Sequence, residues 1–84
     1  MATSRTFEIL WGKLENEQRA FDALRFRISE NKIPAEDKAK RLSIIKNNLE
    51  AIISRAQKEL HDPWEEEMVI KSAEELLNNV TSLL

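Results

Sequence analysis

The stretch that most constrains the fold is the central one, residues 35–61 (AEDKAKRLSIIKNNLEAIISRAQKELH). Its apolar residues Ala35, Leu42, Ile45, Leu49, Ile52, Ala56 and Leu60 recur at three- and four-residue steps. That spacing gathers them into one stripe along a helix of roughly 40 Å, at 1.5 Å per residue. Ala39 and Ile53 flank the stripe and widen it past a two-helix seam, toward the face of a helix that packs against two neighbours. The rest of the chain must supply those neighbours.

The first segment, residues 4–30, keeps a heptad through Phe7, Leu10, Leu14, Glu17, Phe21, Leu24 and Ile28, in which only Glu17 is polar. Trp11, next to Leu10, is expected to cover the edge of the seam with its ring buried and its N–H at water or a carbonyl. Ser4 and Thr6 are both candidates for the N-cap oxygen. Gly12 sits inside the helical pattern at a cost of about 1 kcal/mol relative to alanine. Either a neighbouring helix or large side chain approaches it closely, or it is tolerated on an exposed face.

Asn31-Lys32-Ile33-Pro34 ends this pattern. Pro34 disfavours helical geometry at Ile33 and suits the first position of a new helix, whose first turn carries the acidic Glu36 and Asp37. The turn is short, so the first two helices should run antiparallel. The second break, at 61–65, is better specified. Asp62 reads as an N-cap, Pro63 as the first helical residue, and Glu65 as the partner that completes a capping-box-like arrangement. The third segment, residues 63–83, presents Val69, Ala73, Leu76, Val80 and Leu83 on one face, extended by Ile70, Leu77 and Leu84. It ends on apolar residues without a glycine stop, so its end is expected either to pack against something or to continue in a longer parent chain.

Eighty-four residues amount to one small domain, and one glycine and two prolines in a chain that is 33% charged fit helices joined by short turns. The formal charge of −2 conceals a gradient, with residues 62–84 carrying one basic and six acidic groups while the two preceding segments are slightly positive. Such polarity either steers the third helix onto the first two or forms a solvated face. No basic stripe runs the length of the domain, so no nucleic-acid partner is expected. Without cysteine there is no disulfide framework. The opening MATSRTFEILWGK reads as neither signal peptide nor membrane span, so the expected location is cytoplasmic, with no direct membrane insertion.

Enzyme templates fail in turn. His61 is the single histidine, and no glycine-rich phosphate loop, Ser-His-Asp set or zinc-ligand spacing can be assembled. The run Glu65-Glu66-Glu67 diverges around a helix and cannot converge on one ion. Asn79-Val80-Thr81 matches a glycosylation acceptor but falls within a helical pattern. No catalytic residue, cofactor or metal is therefore expected. More informative are the apolar residues off the seam. Phe26 points away from Phe21, Leu24 and Ile28, and Ile44 points away from Leu42 and Ile45. In an antiparallel pair residue 26 lies across from about residue 41, so Phe26, Arg27, Arg41 and Ile44 are the candidate partner-contact residues, with the aromatic and arginine character of interface centres. The bland alternative is that single exposed hydrophobics are ordinary or are covered by the third helix.

DKAK and RAQKEL, within residues 37–60, resemble the last helix of MIT domains, three-helix modules that bind peptide motifs in membrane-remodelling complexes, although here another helix follows. FEILWGKL and IIKNNLEAI, with the number and order of helices, are similar to the N-terminal three-helix domain of syntaxin-type SNAREs, which implies a docking role in membrane traffic. TFEIL and NEQRAF resemble immunoglobulin-binding three-helix domains of bacterial surface proteins, without the helix break expected between them. None of these resemblances carries functional residues over. The absence of cysteine and the turn chemistry also suit an engineered bundle, whereas the varied surface looks natural.

The expected fold is all-α, a single antiparallel up-down-up three-helix bundle with helices at about 4–30, 35–61 and 63–83. Its alternative is a helical hairpin plus third helix in a homodimeric bundle. The expected function is a non-enzymatic interaction module, adaptor or binder whose partner is another protein, engaged through a groove between two helices. A self-assembling element, with a second copy as partner, is the alternative.

Overall fold

The structure is a computed structural model that describes residues 3–84; Met1 and Ala2 lie outside the described residues. Three helices, α1 (Arg5–Ser29), α2 (Ala35–Glu59) and α3 (Pro63–Thr81), pack pairwise into an all-α bundle about 45 Å long. The fifteen buried hydrophobic residues form one cluster drawn from all three helices. Leu10, Leu42, Leu49, Ala56, Val69, Ala73 and Val80 have no solvent exposure. Each helix thus turns its periodic stripe inward, and every such leucine contributes about 1.5–3 kcal/mol relative to an exposed one.

Helix lengths explain where the expected core thins out. The nineteen residues of α3 span about 28 Å, against about 37 Å for the twenty-five of α1 and of α2. α1 and α3 start level, so the end of the bundle carrying the α1–α2 turn extends beyond α3. Ile28 and Leu83, expected in the core, are only partly buried there. Ala35 and Ala39, expected on the packed face of α2, are exposed. Leu84, expected to extend the α3 face, is 53% exposed. Ile53, Ile70 and Leu77 do pack against the core as flanking residues.

The α1–α2 turn is a Schellman motif. Asn31 adopts φ 56°, and the N–H groups of Asn31 and Lys32 reach back to the carbonyls of Ile28 and Arg27 at 3.0 Å each. Asparagine tolerates this left-handed conformation better than other side-chain-bearing residues, and it satisfies two carbonyls left over at the end of α1. Pro34 sits one position earlier than expected, as the N-cap of α2 with ψ 148°, because its carbonyl already accepts the first helical bond from Lys38. Gly12 has no neighbour within 4 Å of where a Cβ would stand, so it is a tolerated residue on an exposed face.

The starts of α1 and α3 are joined by a carboxylate. Asp62 caps α3 as expected, accepting the Glu65 N–H at 3.0 Å. Glu65 does not close the expected box on Asp62. Its two oxygens instead accept the backbone N–H of Ser4 at 2.8 Å and the Ser4 hydroxyl at 2.6 Å, while Ser4 Oγ accepts the Phe7 N–H and caps α1. Glu65 is the one buried charged residue among those described. Its charge faces two helix N-termini, where the helix dipoles favour it. Beside it Phe7 stacks on the half-buried Trp11, with ring centroids 5.6 Å apart, and meets the Trp64 ring at 5.7 Å. Replacing Ser4 by alanine should cost about 1 kcal/mol, and Glu65→Ala about 1–3 kcal/mol by stranding the Ser4 N–H. In a denaturation double-mutant cycle the paired loss should fall short of the sum by about 1 kcal/mol; strict additivity would show that the two residues act independently.

Candidate functional site

α1 and α2 meet along a register marked near the middle by one polar contact. Glu17, the polar member of the α1 heptad, is half-buried and accepts a hydrogen bond from the Asn48 amide at 2.7 Å. The pairing is antiparallel, so ten residues further along α1 the chain lies opposite the first turns of α2. That register sets Arg27 opposite about residue 38, one turn before Arg41, so the two arginines stand near one another at this end of the hairpin.

On the outer side of this hairpin, away from α3, the two helices leave a recess of about 340 Å³ lined by Ala20, Ala23, Leu24, Arg27, Arg41, Ile44 and Ile45. Buried Leu24 and Ile45 form its floor, the small side chains of Ala20 and Ala23 open one wall, and Ile44, 50% exposed, stands in the other. Three of the four candidate residues thus come together: Arg27, Arg41 and Ile44. Phe26 does not line the recess. It is 63% exposed on the outward side of α1, one position round from Arg27. α3 covers neither Phe26 nor Ile44.

A second recess of about 340 Å³ continues the groove toward the other end, lined by Lys13, Asn16, Glu17, Asn48, Ala51, Ile52 and Arg55. Arg55 Nε donates to Glu59 at 2.8 Å. That hydrogen bond, with the arginine charge behind it, holds the Glu59 carboxyl below its ordinary value. A carboxyl lowered on folding adds stability above its ordinary range, and the contribution fades as pH falls through the lowered value. Among the described residues this is the one ion pair, and the guanidinium groups of Arg27 and Arg41 are not engaged by carboxylates.

Other features of the sequence fall elsewhere. His61 is exposed in the α2–α3 turn. Glu65, Glu66 and Glu67 diverge from buried to exposed around α3. Asn79-Val80-Thr81 lies in α3 with Val80 fully buried. Among the described residues no group of three or more His, Cys, Asp or Glu stands together as metal ligands, and no helix is long and apolar enough to cross a membrane. Ala20 and Ala23 were missed as groove residues by sequence reasoning. The signal for them was two small residues at i, i+3 spacing on α1, just off the heptad.

Comparison with known proteins returns no match: no family model, no curated protein and no solved structure aligns with the chain.

The exposure of the candidate residues separates them from the core energetically. Phe26→Asp and Ile44→Asp should leave helical circular dichroism intact and change unfolding free energy by no more than about 1 kcal/mol. Leu42→Ala, at a position with no exposure, should lose about 2–5 kcal/mol in the same urea titrations.

Proposed function

We propose that this protein is a non-enzymatic helical interaction module that binds another protein through the outer α1/α2 groove. The observation that carries this reading is the recess around Ile44. It combines an apolar floor, alanines that let a partner backbone approach closely, and two arginines without carboxylate partners at the rim. Helix-in-groove recognition uses a hydrophobic cleft between two helices filled by apolar anchors at i, i+3/i+4 and i+7. Arginine at the margin supplies directional hydrogen bonding that lysine does not. The buried core beneath the groove is complete without a partner.

Phe26 lies within reach of a partner that extends past the α1 edge of the groove, and we assign it to the rim. The test is a photocrosslinking residue placed at position 44 in the full chain, compared with the same residue at position 78 on the exposed side of α3. Illumination in lysate of the native cells should give a discrete protein adduct from position 44 that is lost when Ala23→Arg fills the groove. Equal labelling from both positions, or an adduct indifferent to Ala23→Arg, would contradict the reading.

A further inference from the structure

The charges that line the groove identify the kind of helix that fits it. At the end near the α1–α2 turn stand Arg27 and Arg41, and at the opposite end stand Lys13 and Arg55. Glu17 also lines that opposite end and keeps its negative charge while accepting from the neutral Asn48 amide. The groove is thus basic at the α1–α2 turn end, charge-balanced at the other, where Glu59 already pairs with Arg55, and small and apolar between them, at Ala20, Ala23 and Ile44. From Lys13 to Arg27 is about 21 Å, the length of a helix of about 14 residues. Resting on the interaction-module reading above, we propose that the occupant is an amphipathic helix of a partner protein carrying carboxylates at the end of its apolar stripe that meets Arg27 and Arg41.

Charge complementarity and the apolar floor together select this occupant. A nucleic-acid backbone would satisfy the arginines but leave Ile44 and the alanines against phosphate and sugar. A second copy of the chain offers the acidic α3, yet its outward ladder is Glu67, Lys71, Glu74 and Asn78, all exposed and none apolar. Ile70 and Leu77 on its flank are already packed against its own core. The outward face of α3 therefore offers the acids without the anchors, and a separate helix supplies both. Basic side chains at the rim then set orientation and encounter rate, and like charge on a wrong partner is rejected.

The experiment uses the full chain, labelled with ¹⁵N, and two synthetic helical peptides of about 14 residues. They share a leucine stripe at i, i+4, i+7 and i+11; one carries glutamates at one end and the other lysines in their place. The glutamate peptide should shift the amides of Ala20, Ala23 and Ile44 and bind at least about tenfold more tightly than the lysine peptide, with the preference shrinking as salt is raised. The double variant Arg27→Glu with Arg41→Glu should reduce or invert that preference while leaving the helical spectrum unchanged. Equal binding of both peptides at these amides overturns the acidic assignment while leaving the groove a docking site. Silence of these amides toward both peptides overturns it too, and crosslinking at position 44 then decides separately whether the groove binds protein at all. Shifts of the same amides on raising protein concentration without peptide would assign the groove to a second copy, and equal shifts with a single-stranded oligonucleotide would assign it to nucleic acid; either result overturns the proposal.

Discussion

α2 has to bury one broad apolar stripe against two helices at once, and the rest of the molecule follows from that constraint. Leu42, Leu49 and Ala56 reach zero exposure only because α1 and α3 close on them from either side. A single partner helix would leave half of the stripe in water, at about 25 cal/mol for each Å². Both neighbours must therefore crowd the same side of α2. Its other side, with Arg41, Ile44, Asn48, Ala51 and Arg55, is left on the surface beside α1. The core that stabilises the bundle thereby also decides where its unoccupied groove lies.

Hydrophobic burial is non-directional, so it does not by itself set how far each helix slides along its neighbours. Two polar contacts provide that register. Glu65 ties the start of α3 to Ser4 at the start of α1, and Glu17 with Asn48 aligns α1 against α2. The Ser4–Glu65 contact is partly buried and the Glu17–Asn48 contact exposed, so the first defines the level along the axis more strongly. With α1 and α3 starting level, the shorter α3 ends before the α1–α2 turn. This leaves Phe26 and the first turns of α2 uncovered and places Arg27 and Arg41 at an open end of the groove.

Much of this was legible in the residues. Apolar spacing located the three helices to within about two residues and identified the inward faces, because period and burial are properties of the local chain. The exposure of Phe26 and Ile44 followed from the same periodicity. What escaped were features made by residues far apart in sequence. Glu65 had a local explanation as the partner of Asp62, and nothing in its neighbourhood announces Ser4, sixty-one positions away. The thinning of the core at Ile28, Ala35, Ala39 and Leu83 depends on where α3 stops relative to α1, which no single segment reveals. The Asn31 turn was hidden behind Pro34, the stronger local signal. Ala20 and Ala23 looked like unremarked surface residues until α2 was placed beside them.

The central claim is that three helices of one chain close the core and leave the α1/α2 groove unfilled. Absolute mass by size-exclusion chromatography with light scattering, over a wide range of protein concentration, tests it most directly. The account predicts a monomer of 9.8 kDa that does not change with concentration. A stable dimer would contradict it, because the apolar surface assigned here to an outside helix would then be consumed by a second copy of the chain.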